Sequence, residues 1–83
     1  MKVMRFNGSH NITGKRIQEI RTKKNLTQDQ LAARLQVSGL QINQKAISRI
    51  ESGDRIVSDF ELLHIARALG VGVDELLKAH EEE

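Results

Sequence analysis

Leu26-Thr27-Gln28-Asp29-Gln30-Leu31-Ala32, followed after a polar break by Gln44-Lys45-Ala46-Ile47-Ser48-Arg49-Ile50-Glu51, reads as two short helices joined by a turn. In the second segment Ile47 and Ile50 lie three apart and point inward together, while Gln44, Lys45, Ser48 and Arg49 fall on the faces left to solvent or ligand. That outer face carries amides and cations and no acid.

Outward from this stretch, Thr27 and Gln30 form a capping box, and Leu31 and Leu35 give the first helix of the pair its inward stripe. The connection that follows has two readings. Leu35-Gln36-Val37-Ser38 and Leu40-Gln41-Ile42-Asn43 both run apolar, polar, apolar, cap, so either can hold the turn. A helix begun after Ser38 puts Asn43 and Gln44 where an inward residue is needed between Leu40 and Ile47. One begun after Asn43 turns Ile47 and Ile50 cleanly inward, so Asn43 is taken as the N-cap of a helix over about 44–52. This leaves the preceding helix or its connection unusually long, and with Ser38 as the cap the outward residues would change.

Before this pair, Thr13 can cap a helix in which Ile17 and Ile20 point inward with Arg21 beside them. It ends near Lys24, with Lys23 and Lys24 suiting the dipole and Asn25 able to turn left-handed. After it, Ser52-Gly53 closes the third helix. Ser58 and Glu61 make a second capping box, leading Leu62, Ile65, Ala66 and Leu69 at helical spacing up to Gly70. Val71 and Val73 tuck inward, and Asp74-Glu75 start a short last helix whose Leu76 and Leu77 pack back. The pattern predicts an all-α, compact five-helix domain over 13–78, with an N-terminal arm or short strand over 1–12 and an acidic tail over 79–83.

The 83 residues carry a net charge of +2 that conceals an asymmetry. Residues 1–55 hold eleven Lys/Arg against four Asp/Glu, a net of +7, and residues 56–83 hold two against seven, a net of −5. A locally positive half attracts a polyanion and releases its counterions. No cysteine is present, which removes disulfides and cysteine metal sites and fits a reducing, cytoplasmic setting. Apolar runs are too short for a membrane span or a signal peptide. His10, His64 and His80 are scattered, with no nucleophile elbow or phosphate loop, so catalysis and metal binding are not expected; His64 reads as a surface residue. Only Phe6 and Phe60 can stack on bases, which argues against single-strand binding.

With these residues placed, the chain resembles the phage repressor and Cro-like (XRE-type) helix-turn-helix transcriptional regulators from roughly Thr13 to Leu77. The resemblance rests on Gly14-Lys15-Arg16-Ile17, Leu26-Thr27-Gln28-x-x-Leu31-Ala32, Ile47-Ser48-Arg49-Ile50-Glu51-Ser52-Gly53 and Leu62-Leu63-x-Ile65-Ala66-x-Ala68-Leu69-Gly70-Val71, in that order. Members usually have a shorter connection before the Ile-Ser of the third helix. The resemblance implies that this helix enters the major groove of double-stranded DNA, with Gln44, Lys45 and Arg49 on base edges. Phosphates would be met by Gln28, Asn43, Gly53 and Arg55, although Asp54 is acidic where a basic residue is common. It also implies a buried Arg21–Glu51 ion pair joining the first and third helices.

The expected function is sequence-specific transcriptional regulation, as a repressor, by a homodimer on a palindromic operator. No cofactor and no small-molecule ligand are expected. Val73, Leu76 and Leu77 are the favoured dimer patch, ahead of a strand formed by Met1–Phe6. The competing reading is a protein-interaction module of the same fold, such as an antitoxin or an anti-repressor partner, working through another surface.

Overall fold

Thr27 Oγ1 accepts the backbone N–H of Gln30 while Gln30 Oε1 accepts that of Thr27, at 3.0 and 2.8 Å, and Ser58 with Glu61 repeats the arrangement. These two reciprocal caps fix where two helices begin. In the computed structural model, which describes Arg5 and residues 8–81, the elements are α1 (Gly14–Lys23), α2 (Gln28–Val37), α3 (Gln44–Ser52), α4 (Asp59–Leu69) and α5 (Val73–Glu81). The chain is all-α, with no strand among the described residues. Half of the expected N-terminal arm (1–4, 6 and 7) and the last two residues of the tail lie outside the described residues. α5 continues to Glu81, past the expected end at residue 78.

Asn25 turns left-handed after α1, at φ 58°, as Asn tolerates better than most side chains. Asn43 caps α3 by accepting the Ala46 N–H at 2.8 Å. The connection before it is resolved in favour of a long loop rather than a long helix. α2 stops at Val37, and residues 38–43 cross to α3 with Leu40 and Ile42 buried. Gln36 Nε2 donates to the Ile42 carbonyl at 2.9 Å, tying this loop back to α2. Asn43 is therefore the N-cap of α3, and Ser38, the alternative, lies at the C-terminal end of α2 and opens no helix.

The core is one cluster to which every helix contributes: Ile17 and Ile20 from α1, Leu31 and Leu35 from α2, Ile47 and Ile50 from α3, Ile65 and Leu69 from α4, and Leu76 from α5. Each such side chain stabilises the fold by roughly 1.5–3 kcal/mol relative to exposure. α3 packs between α1 and α2, while α5 closes over α1 and α4. Leu76 is 0% exposed, which overturns the expectation that it forms part of a free dimer patch on α5.

The start of α1 differs from expectation. Thr13 makes no side-chain cap, and its buried hydroxyl has no partner. Asn11 caps instead: its Oδ1 accepts the N–H groups of Thr13 and Gly14, at 3.0 and 2.6 Å. Its Nδ2 donates to the carbonyls of Ile50 and Arg55, at 3.0 and 2.8 Å. One amide thus ties the first turn of α1 to the last turn of α3. Gly14 makes the approach possible, because a Cβ there would collide with the Ile50 carbonyl oxygen. Asn11→Ala strands several buried polar groups and is expected to cost about 1–3 kcal/mol, whereas Thr13→Ala removes only an unpaired hydroxyl and should change stability little. Chemical denaturation of the two variants checks this ordering; equal midpoints would contradict it.

Candidate nucleic-acid interface

Arg21 and Glu51 set the position of α3. Their side chains are 10% and 3% exposed, and Arg21 Nε and Nη2 donate to the two carboxylate oxygens at 2.6 and 3.0 Å. Arg21 Nη1 donates to the Leu26 carbonyl at 2.6 Å, so one guanidinium holds α1, the α1–α2 loop and α3 together. Such a bidentate pair fixes orientation as well as distance.

From this pair a chain of hydrogen bonds runs to the surface, and its polarity is dictated from inside. A carboxylate can only accept, so Gln28 turns its amide nitrogen toward Glu51 Oε1, at 2.9 Å. The Gln28 carbonyl then faces Gln44, whose Nε2 donates to it at 2.5 Å. Gln44 keeps one N–H and its carbonyl oxygen unused within this chain. A donor beside an acceptor on a planar amide matches adenine N7 and N6 in the major groove. Gln28, the first residue of α2, is thus a positioning group for the first residue of α3. Sequence reasoning assigned it to phosphate alone, because pairing across two helices leaves no local signal.

Gln44, Lys45 and Arg49 are all exposed on α3, and among the described residues neither Lys45 nor Arg49 takes part in an ion pair. Asn43 is exposed beside them, its oxygen committed to the cap and its amide nitrogen left for a ligand.

In the loop after α3, both residues expected at phosphates are engaged within the protein. Gly53 is buried, its N–H closes on the Ile50 carbonyl at 3.1 Å, and its carbonyl accepts the His10 N–H at 2.8 Å. Its φ of 85° makes it the left-handed cap of α3, and a Cβ would strike Ser9. Arg55 is held by Glu61, with Nη2 at 2.9 Å and Nη1 at 3.1 Å from the carboxylate oxygens. That guanidinium, mainly by hydrogen bonding, holds the Glu61 carboxyl below its ordinary value of 4.5. His64, expected at the surface, is half-buried with Nδ1 3.1 Å from Ser38 Oγ.

Among the described residues no cluster of three or more potential ligands could hold a metal ion, and no helix is long and apolar enough to cross a membrane.

A helix-turn-helix family model matches residues 17–76, spanning α1 to α5. The chain belongs to the XRE-type helix-turn-helix family. A helix-turn-helix relative, the HTH-type transcriptional activator BcrR of Enterococcus faecalis, is 42% identical over 66 residues, which make up 80% of this chain and 30% of that protein. The helix-turn-helix chain therefore spans under a third of the length of the curated relative it matches. No solved structure matches it. Here α2 and α3 are joined by the six-residue loop 38–43.

Two outcomes follow from the ion pairs. Arg21→Ala leaves a buried carboxylate uncompensated and is expected to cost about 3–5 kcal/mol, seen as a lowered melting temperature rather than a selective loss of ligand. An unchanged melting temperature would contradict the role given to the pair. The folded pKa of Glu61 lies below 4.5, so its pairing stabilises the fold fully above that value and loses the contribution as pH falls through the depressed pKa. Glu61→Gln should accordingly flatten the acid side of a stability-versus-pH curve below about pH 4.5. Parallel curves for variant and wild type would contradict it.

Proposed function

We propose that this chain binds double-stranded DNA in a sequence-specific manner and thereby regulates transcription, with α3 laid in the major groove. The observation that carries this reading is the hydrogen-bonded run from Arg21 through Glu51 and Gln28 to Gln44, which orients a surface amide from a buried charge. A merely solvated glutamine needs no such support. Gln44 reads adenine, and Lys45 and Arg49 donate to guanine O6 and N7. The free N–H groups at the start of α2, with Gln28 and the Asn43 amide nitrogen, meet phosphates at the positive ends of two helix dipoles.

One recognition helix covers only a few base pairs, so the operator is a palindrome read by two copies, with half-sites about one turn apart. Nothing on the α3 face encodes the sign of regulation. Repression or activation depends on where the bound site lies relative to the promoter. No small-molecule ligand enters this reading.

Selection of duplexes from a random pool at stated salt tests the proposal. Enrichment of a two-fold symmetric site is expected, with log K falling linearly with log salt as counterions are released. Gln44→Ala and Arg49→Ala should each relax preference at one base pair by about 1–3 kcal/mol, and Lys45→Glu should abolish binding. An unselective pool, or binding indifferent to salt, would favour an interaction module of the antitoxin or anti-repressor kind.

A further inference from the structure

The outer face of α4 carries Phe60, Leu63 and Arg67 at i, i+3 and i+7, with Asp59 at its edge. Phe60 and Leu63 are 57% and 40% exposed, and Ile56, one turn before Phe60, is 53% exposed. The opposite face of the same helix lies in the core through Ile65, Ala66 and Leu69. Asp59 and Arg67 are both exposed, and neither takes part in an ion pair among the described residues. A helix already buried on its inner side has no need of a second apolar stripe for folding.

We propose that this stripe is the surface on which a second copy of the chain packs, α4 against α4 and antiparallel, with the two-fold axis at Leu63. The argument is self-complementarity. Asp59 and Arg67 lie four residues to either side of Leu63. A two-fold axis there sets each Asp59 against the partner's Arg67, Leu63 against its own copy, and Phe60 under the incoming guanidinium, where an aromatic face attracts a cation. A parallel arrangement would instead set like charge against like. With one acid, Asp59, and one base, Arg67, the face offers no net positive charge to a nucleic-acid backbone or an anionic membrane. α5 is less exposed where it was expected to pair: Leu76 is wholly buried in its own protomer and Val73 and Leu77 are half-buried, whereas Phe60 and Leu63 are exposed.

The stripe is short, so the interface belongs to the small, concentration-dependent class, and operator half-sites would hold the two copies together more firmly than the stripe alone. The proposal rests on the DNA-reading function only in supplying the second copy which that function requires.

The test is sedimentation equilibrium of the full chain without DNA, with far-UV circular dichroism to confirm folding. Wild type should show a monomer–dimer equilibrium. Asp59→Arg and Arg67→Asp should each weaken it by about tenfold or more, and the double variant should regain most of the loss despite placing both charges unfavourably for the α4 dipole. Folded single variants that associate like wild type, a double variant without recovery, or a wild type that stays monomeric would each overturn the surface. A monomeric chain that still selects a symmetric duplex would overturn this surface and leave the DNA reading intact. A charge-swap-sensitive dimer that selects no duplex would do the reverse.

Discussion

A charged pair removed from water must be satisfied completely or the domain does not hold together, and Arg21 with Glu51 meets that demand by recruiting three parts of the chain. The guanidinium is planar and donates in fixed directions, so α1, the α1–α2 loop and α3 are fixed in angle as well as in distance. An apolar contact between Ile17 and Ile47 would bring α1 and α3 together without choosing their rotation. The ion pair makes that choice. The same charge then sets the polarity of Gln28 and of Gln44, so a buried carboxylate determines which edge of a surface amide faces outward.

The far end of α3 is held by uncharged groups. Asn11 bridges the first turn of α1 and the Ile50 carbonyl, Gly14 permits the approach, and Gly53 ends the helix beneath Ser9 and His10. The N-terminal segment nearest α1 is therefore part of the frame of α3. Leu40 and Ile42 fix the beginning of the helix in a similar way, by burying the long loop before it. A nine-residue helix has little stability of its own, so its straightness and register come from these supports.

What was legible in the sequence was whatever rests on near neighbours. Thr27 with Gln30, Ser58 with Glu61, Asn43 before α3 and Gly70 after α4 all act within four residues, and their side chains announce it. The stripes of α1 to α4 were legible because their period is that of a helix. Residues 38–43 were harder, since Leu40 and Ile42 alternate as in a strand and only the core beneath them decides that both point inward. Thr13 reads as the cap of α1, and the bonds that make Asn11 the cap instead are anchored on carbonyls of residues 50 and 55, remote in sequence. The same cause hid the bond between Gln28 and Gln44. Arg55 reads as a free cation until its neighbour Glu61 is seen to serve both the α4 cap and the guanidinium.

The division of charge along the chain acquires a meaning from the fold. The basic half, residues 1–55, includes α1, α2 and α3, while the acidic half forms α4 and α5. A domain of low net charge whose chain is basic up to residue 55 and acidic beyond it is drawn to a polyanion weakly as a whole, while its basic segments are attracted and its acidic ones repelled. The acidic residues of α4 and α5 then disfavour every docking that would lay those helices on the phosphates. On the DNA-reading function proposed above, orientation by charge would precede base contact, and it would let a small domain present the exposed face of α3 first.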